Sequence, residues 1–288
     1  MEVADAGGVS AAARRLGLSK SIVSRRLARL ETELGVQLLA RTTRGAALTE
    51  AGVAFREHAA RIGAEIEAAR EALHPEGELR GRLRVSLPLS FGPTHFAPVL
   101  AEMAARHPQL HVQCSYADRF VDILGEGFDC AVRVGYLEDS ALVARRVGPI
   151  RGSLVASPDY LLRHGAPEAP ADIAGHQALL QGTESWRFTV GGDVVRVQPT
   201  GRFKADNGTA LVAAAVRGLG LAFLPDCLVH AELASGALVR VMEDFPPPTA
   251  GAYVVRPPGA NPARKVQVLG DLLVEDVATD PARWGLPR

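Results

Sequence analysis

Cysteine is scarce. Cys114, Cys130 and Cys227 are the only three in 288 residues, with no C-x-x-C pair and no histidine beside them at metal-ligand spacing. This excludes a disulfide framework and leaves the thiols as small, reduced, apolar side chains, with a redox switch as the alternative. Long apolar runs are absent too: the longest, Ala210 to Val216, is far too short to span a bilayer, and no charged-then-apolar leader opens the chain. A cytoplasmic protein is the expectation. Catalytic signatures are missing as well, with no G-x-S-x-G elbow, Walker loop, H-E-x-x-H or set-apart carboxylate pair. Asp118 and Arg119 read as an ion pair at the surface or a hinge. No catalytic residue, metal or cofactor is expected.

Net charge is missing in total but not locally. Lysine plus arginine equals aspartate plus glutamate at 32 each, and 47% hydrophobic with 22% charged residues is ordinary for a globular protein with a sizeable core. Between Ser10 and Leu48, however, eight basic residues (Arg14, Arg15, Lys20, Arg25, Arg26, Arg29, Arg41, Arg44) face only Glu31 and Glu33. Such asymmetry is the footprint of a segment that meets phosphates.

That segment has an ordered set of parts. Ser10 reads as the N-cap of a helix from Ala11 to Leu16, Gly17 as a left-handed turn residue, and Leu18 as a plug into the core. Ser19 caps a second helix whose Val23, Leu27, Leu30 and Leu34 form one apolar stripe. Lys20, Ser21, Ser24 and Arg25 lie away from the stripe, where a recognition helix presents side chains to base edges in a major groove, and Arg29 suits a phosphate. A solvated basic face is the plainer alternative. Two short strands around Thr42 to Gly45 make a wing, with Arg41 for phosphate and Arg44 at the tip for a minor groove. Together these parts describe a winged helix-turn-helix on double-stranded DNA.

Thr49 caps a long helix, Glu50 to about Leu73. Its Phe55, Ala59, Ile62, Ile66, Ala69 and Leu73 recur with the 3.5-residue period of a coiled-coil seam, so Phe55, Ile62, Ile66 and Leu73 are expected to pair two copies. A two-fold dimer presents two heads to a pseudo-palindromic site with half-sites about one helical turn, ~34 Å, or a multiple apart. HPEGELRG then breaks the helix as a hinge. Beyond it strands and helices alternate, which predicts a largely parallel α/β architecture with FVDILGEG as a helix, and the tail DPARWGLPR reads as loosely ordered.

The motifs SAAARRLGLS, VSRRLARLETELGVQLLART and LTEAG, with LRVSLPLSFG, LAEMAARHPQL, RFVDILGEGFDCAVRVG, LVASPDYL and GLGLAFLPD downstream, resemble those of the LysR-type transcriptional regulators over nearly the whole chain. The resemblance implies an α/β multidomain protein: a winged helix-turn-helix over residues 1–49, a linker helix for dimerisation over 50–74, a hinge over 75–82 and an effector-binding domain over 83–277. That domain is expected to be two-lobed, like periplasmic binding proteins, with lobe I about 83–157 and 250–277 and lobe II about 158–249, followed by a tail over 278–288. It also implies a homodimer, often assembled into a homotetramer, and a small-molecule effector between the lobes. Carried over by position, the effector site is Ser90, Phe91, Arg133, Asn207 and Gly208. Strand ends and helix N-termini converging there suit an anionic ligand, although a serine or asparagine before a helix also serves simply as a cap. The family's first helix starts earlier than Met1 does here, so the expectation is a mis-assigned start codon, with an in-frame helix-coding extension upstream, or a truncated head. The rival readings are a small-molecule enzyme, a solute-binding protein without a DNA head, and a DNA-binding protein that needs no ligand.

Overall fold

Caps and turn glycines outline the head. The computed structural model describes residues 2–42, 45–73, 78–119, 121–137, 140–182, 185–258 and 262–286. A short helix α1 (Glu2–Asp5) precedes α2 (Val9–Leu16), and Gly17, at φ 63, closes α2 in the left-handed conformation and turns the chain into α3 (Lys20–Leu34). Ser10 is not the cap, because the N-cap position of α2 falls on Gly8 and Ser10 lies within the helix. Ser19 does cap α3, its Oγ accepting from the Ile22 N–H at 3.3 Å. Ala12, Ala13 and Val23 form the head's core, with Val3, Ala6, Val9 and Leu18 packed against them; the alanines let α2 and α3 approach closely. β1 (Leu39–Thr42) and β2 (Gly45–Leu48) pair antiparallel as the wing, and α4 runs Glu50–Leu73 as its sequence period predicts. The Thr49 hydroxyl accepts from the Gly52 N–H at 3.0 Å and donates to the Gln37 carbonyl at 2.6 Å, so it caps α4 and ties it to the wing.

The chain divides into two units, Met1–Gly77 with Asp122–Phe128 and Asn261–Arg264, and Glu78–Val121 with Asp129–Ala260 and Lys265–Arg288. The second unit holds two sheets. Its elements are β3 (Gly81–Leu87), a π-helical turn (Gly92–Phe96), α5 (Ala97–Arg106), β4 (Leu110–Tyr116), β5 (Cys130–Gly135), β6 (Val143–Ile150), β7 (Gly152–Ala156) and α6 (Pro158–His164). Then follow β8 (Ala178–Leu180), β9 (Trp186–Val190), β10 (Asp193–Val197), β11 (Phe203–Lys204), α7 (Gly208–Val216), β12 (Leu221–Pro225), α8 (Asp226–Ser235), β13 (Val239–Arg240), β14 (Ala250–Arg256), α9 (Arg264–Thr279) and a 3-10 turn (Pro281–Trp284). The first sheet has the order β4-β3-β5-β14-β6 and the second β11-β8-β12-β7-β13. In the second, Val155, Leu179, Ala222 and Leu224 pack under α7 and α8, while Leu154, Ala156, Phe188 and Leu221 pack beneath Tyr160 and Ile173 on the other face.

Four expectations need correction. The sheets are mixed, because β14 runs antiparallel to β5 and β6, and β7 runs antiparallel to β12 and β13. β7 and β14 are the strands by which the chain leaves the first sheet and returns to it, and each runs against the strands it meets. The lobe boundary therefore falls at Arg151 rather than 157, since β7 belongs to the second sheet. Residues Asp122 to Phe128 form a turn, not a helix: the Asp122 carboxylate caps it by accepting from the Gly125 N–H at 2.9 Å, and the left-handed Gly127, with the Phe128 N–H donating to the Ile123 carbonyl at 2.8 Å, closes it after one turn. The tail is anchored, with Trp284 buried at 1% exposure. Much of the expected hinge lies outside the described residues, and Gly81 and Arg82 already belong to β3.

Candidate nucleic-acid interface and effector cleft

The head presents a polar face because α3 spends its apolar residues on one side. Val23 is buried and Leu27 and Leu30 half-buried, which leaves Lys20, Ser21, Ser24, Arg25 and Arg29 exposed on the remaining surface. Lys20 and Arg25 have no ion-pair partner among the described residues, so neither needs to break a contact to engage a phosphate or a base. Arg29 differs: its Nε donates to Glu33 Oε1 at 2.8 Å, with side chains 81% and 58% exposed. An exposed pair one helical turn apart contributes only about 0.3–0.5 kcal/mol, so a phosphate displaces Glu33 readily. Arg41 lies in β1 opposite Ala46, with its side chain outside the described set, and Arg44 is outside the described residues.

Glu31 is a residue that charge counting undervalues. Its Oε1 accepts from the Leu38 and Leu39 N–H groups at 2.8 and 3.1 Å, so a carboxylate on the recognition helix fixes where the wing begins. A Gly7 carbonyl accepts from the Ala46 N–H at 3.3 Å and anchors the second wing strand to the turn before α2. On α4, Ile62 and Ile66 are 62% and 50% exposed and Phe55 is half-buried, while the side chain of Leu73 is outside the described set. Isoleucines in water at heptad spacing are the mark of a face that awaits a partner.

Across the two lobes, Ser90 and Gly208 meet: the serine Oγ accepts from the Gly208 N–H at 2.8 Å. Asn207 Oδ1 accepts from the Ala210 N–H at 3.2 Å, so the Gly208 and Ala210 N–H groups at the start of α7 already have acceptors. Arg133 is held in place, donating to the Val132 carbonyl at 2.9 Å and to the fully buried Ser86 hydroxyl at 3.3 and 3.4 Å. Phe91 is 6% exposed with its ring 5.7 Å from that of His95.

Asp118 is the residue missed. It forms no ion pair with Arg119; its Oδ1 accepts from the Leu89 N–H at 2.7 Å, and its Oδ2 is buried without a hydrogen-bond partner among the described residues. Burial pushes its carboxyl above the usual range and the Asp206 charge adds to this, while the Leu89 N–H, the Ser90 hydroxyl and the Arg133 charge oppose them. Only a fold that buries Asp118 beside Ser90 makes it notable, so nothing local in the sequence marks it.

The thiols are quiet. Cys130 is fully buried and its thiol is pushed up by burial, and Cys227 is likewise pushed up to about 12. Among the described residues no cluster of three or more histidine, cysteine, aspartate or glutamate side chains has metal-binding geometry, and no helix is long and apolar enough to cross a membrane.

Comparison with known proteins agrees with this geometry. The family described as "Bacterial regulatory helix-turn-helix protein, lysR family" matches residues 1–53, and the one described as "LysR substrate binding domain" matches 76–278. An HTH-type transcriptional regulator of Xanthomonas campestris is 36% identical over 286 residues, covering 95% of this chain and 82% of the relative. The HTH-type transcriptional regulator PtxR of Pseudomonas aeruginosa is 34% identical, covering 98% and 92%. Among solved structures, CrgA of Neisseria meningitidis, a LysR-type regulator, superposes with a TM-score of 0.58 at 30% identity over 96% of each chain. The Vibrio cholerae virulence activator AphB gives 0.60 at 27% over 95% of each.

Proposed function

The chain belongs to the LysR family of bacterial transcriptional regulators, a DNA-binding regulator with an effector-binding domain and not an enzyme, and from that premise we propose how its own residues divide the work. Arg25 reads a base edge in the major groove, Lys20, Ser21 and Ser24 hold the entry of α3 against base and backbone, and Arg29, Arg41 and Arg44 take phosphates. Two copies pair through Phe55, Ile62, Ile66 and Leu73 of α4, dimers pair again as a tetramer, and the site is pseudo-palindromic. A small molecule sits between the lobes against Ser90, Arg133, Asn207 and Gly208.

The observation that carries the DNA reading is the exposed, ion-pair-free Lys20–Arg25 face on a capped helix whose opposite side is committed to the head's core. The chemistry of the cleft supports an effector that brings a hydrogen-bond donor. The Gly208 and Ala210 N–H groups of α7 are already satisfied, whereas Asp118 Oδ2 lacks a partner among the described residues.

Selection of bound DNA from the region beside the gene, repeated with small amines, alcohols and carboxylates, tests both halves. A footprint that moves with a donor-bearing compound is expected. Binding indifferent to every compound favours a regulator that needs no ligand. In the same assay Arg25→Ala is expected to weaken specific binding by about 1–3 kcal/mol and relax the preference at one base position; unchanged sequence selection removes Arg25 from the base-reading role.

A further inference from the structure

A recess of about 490 Å³ lies on the lobe II side of the crossing between the sheets, lined by Arg151, Ser153, Phe188, Asp226, Met242 and Phe245 among others. None of these belongs to the effector cleft described above. The volume is within the range of small-molecule sites.

Its charges are arranged unequally. Asp226 is neutralised from within: Ser153 Oγ donates to Asp226 Oδ1 at 2.6 Å, Arg240 Nε donates to Ser153 Oγ at 3.1 Å, and the Arg240 guanidinium lies 3.7 Å from Asp226 Oδ2. Arg151 is exposed at the edge, and its guanidinium has no partner among the described residues. Glu243 also stands in the lining, exposed to water. Beneath these groups the wall is apolar, with Leu154 and Phe188 buried and Met242 and Phe245 half-buried. A guanidinium can grip a carboxylate through two parallel N–H donors, and the aromatic and thioether surface takes whatever the carboxylate carries.

Two further features mark the recess. Met242 has φ 59 and is the one non-glycine residue with positive φ among the described residues, held there by a turn in which the Phe245 N–H donates to the Met242 carbonyl at 2.9 Å. Such strained backbone concentrates at ligand walls. The lining also touches both places where the chain passes between sheets: Arg151 joins β6 to β7, and Pro246, Pro247 and Thr249 lead into β14. The second passage is tied to lobe I by the Tyr136 hydroxyl, which donates to the Pro248 carbonyl at 2.6 Å. A molecule seated here touches both connections on which the lobes turn.

We propose that this recess is a second small-molecule site, separate from the interlobe cleft, and that it takes a monocarboxylate with an apolar body, its carboxylate on Arg151 and its body against Met242 and Phe245. The test is calorimetric titration of the full chain with octanoate and 3-phenylpropanoate, each against its neutral amide. Saturable binding of at least one acid to a single site is expected, weakened at least tenfold in the amide and in Arg151→Gln, and unchanged in Ser90→Ala. Met242→Gly keeps the backbone conformation and removes the thioether wall, so it weakens binding without unfolding the protein. No saturable binding, equal affinity for acid and amide, indifference to Arg151→Gln, or loss in Ser90→Ala each overturns the proposal. Operator binding and its response to the cleft effector are unaffected by that failure, because neither uses Arg151.

Discussion

Trp284→Ala measures how firmly the C-terminal turn belongs to the fold. The indole is 1% exposed, meets the rings of His95 and Phe96 edge-on at centroid distances of 5.2 and 5.4 Å, and donates from Nε1 to Asp276 Oδ2 at 2.9 Å. Burying an indole removes roughly 200 Å² of surface from water, which at about 25 cal/mol per Å² contributes about 5 kcal/mol. Measured large-to-small losses of about 3–5 kcal/mol for tryptophan agree with that figure. The lost hydrogen bond adds little, because Asp276 retains its pairing with Arg283 and is not left bare. At about 2–4 °C per kcal/mol for a domain of this size, the midpoint of the effector-domain transition falls by about 6–20 °C, followed by far-UV circular dichroism on heating. Trp284→Phe keeps the apolar edge and drops the N–H, and is expected to lose only about 1–2 kcal/mol. An alanine variant within about 0.5 kcal/mol of the parent in chemical denaturation refutes the anchoring, since that is the range of an ordinary surface substitution.

Stability is also expected to depend on pH through His95. Its Nε2 must carry the hydrogen, since it lies 2.9 Å from the Arg283 carbonyl, which can only accept, and Nδ1 lies 2.8 Å from the Thr94 hydroxyl. Burial holds the ring's pKa below its ordinary 6.5, so the unfolded chain takes up the proton first as pH falls. His95's contribution is therefore complete above about 6.5 and is lost between there and its lower native value. Melting temperatures from pH 5 to 7.5 are expected to fall toward the acid end, and His95→Gln to flatten that fall; an equal slope in the variant assigns it elsewhere. On α4, Ile62→Glu with Ile66→Glu is expected to yield monomers that bind the operator much more weakly. Sedimentation at the parent's mass contradicts the seam.

Local chemistry announced some of this fold and long-range pairing withheld the rest. The spans of α3 and α4 were legible because a hydroxyl cap, an apolar stripe and a flanking glycine or break occur in one continuous stretch. Strand direction was not legible. Nothing within GSLVA or AGAYVVR says that β7 and β14 run against their neighbours, since that depends on partners far away in sequence. The segment DILGEGF carries helix-like apolar spacing, and the left-handed Gly127 closes it after a single turn. Trp284, between proline and glycine, looks like a tail until His95 and Phe96 are placed around it. The basic face of α3 was legible in full, while Glu31 as an anchor of the wing and Asp118 as an unsatisfied acceptor depend on where the fold sets them.

The hydrogen bond from Gly208 to Ser90 acts as a gauge of separation. Its two ends belong to different lobes, and at 2.8 Å it tolerates well under an ångström of spreading before it ceases to be a bond. The approach is tight, since a Cβ at position 208 would lie 2.8 Å from Leu228 Cδ1 and 3.3 Å from Ser90 Oγ and would make the leucine tip move. A very small swing of one lobe thus frees a hydroxyl and a helix-terminal N–H at the same instant and in the same place.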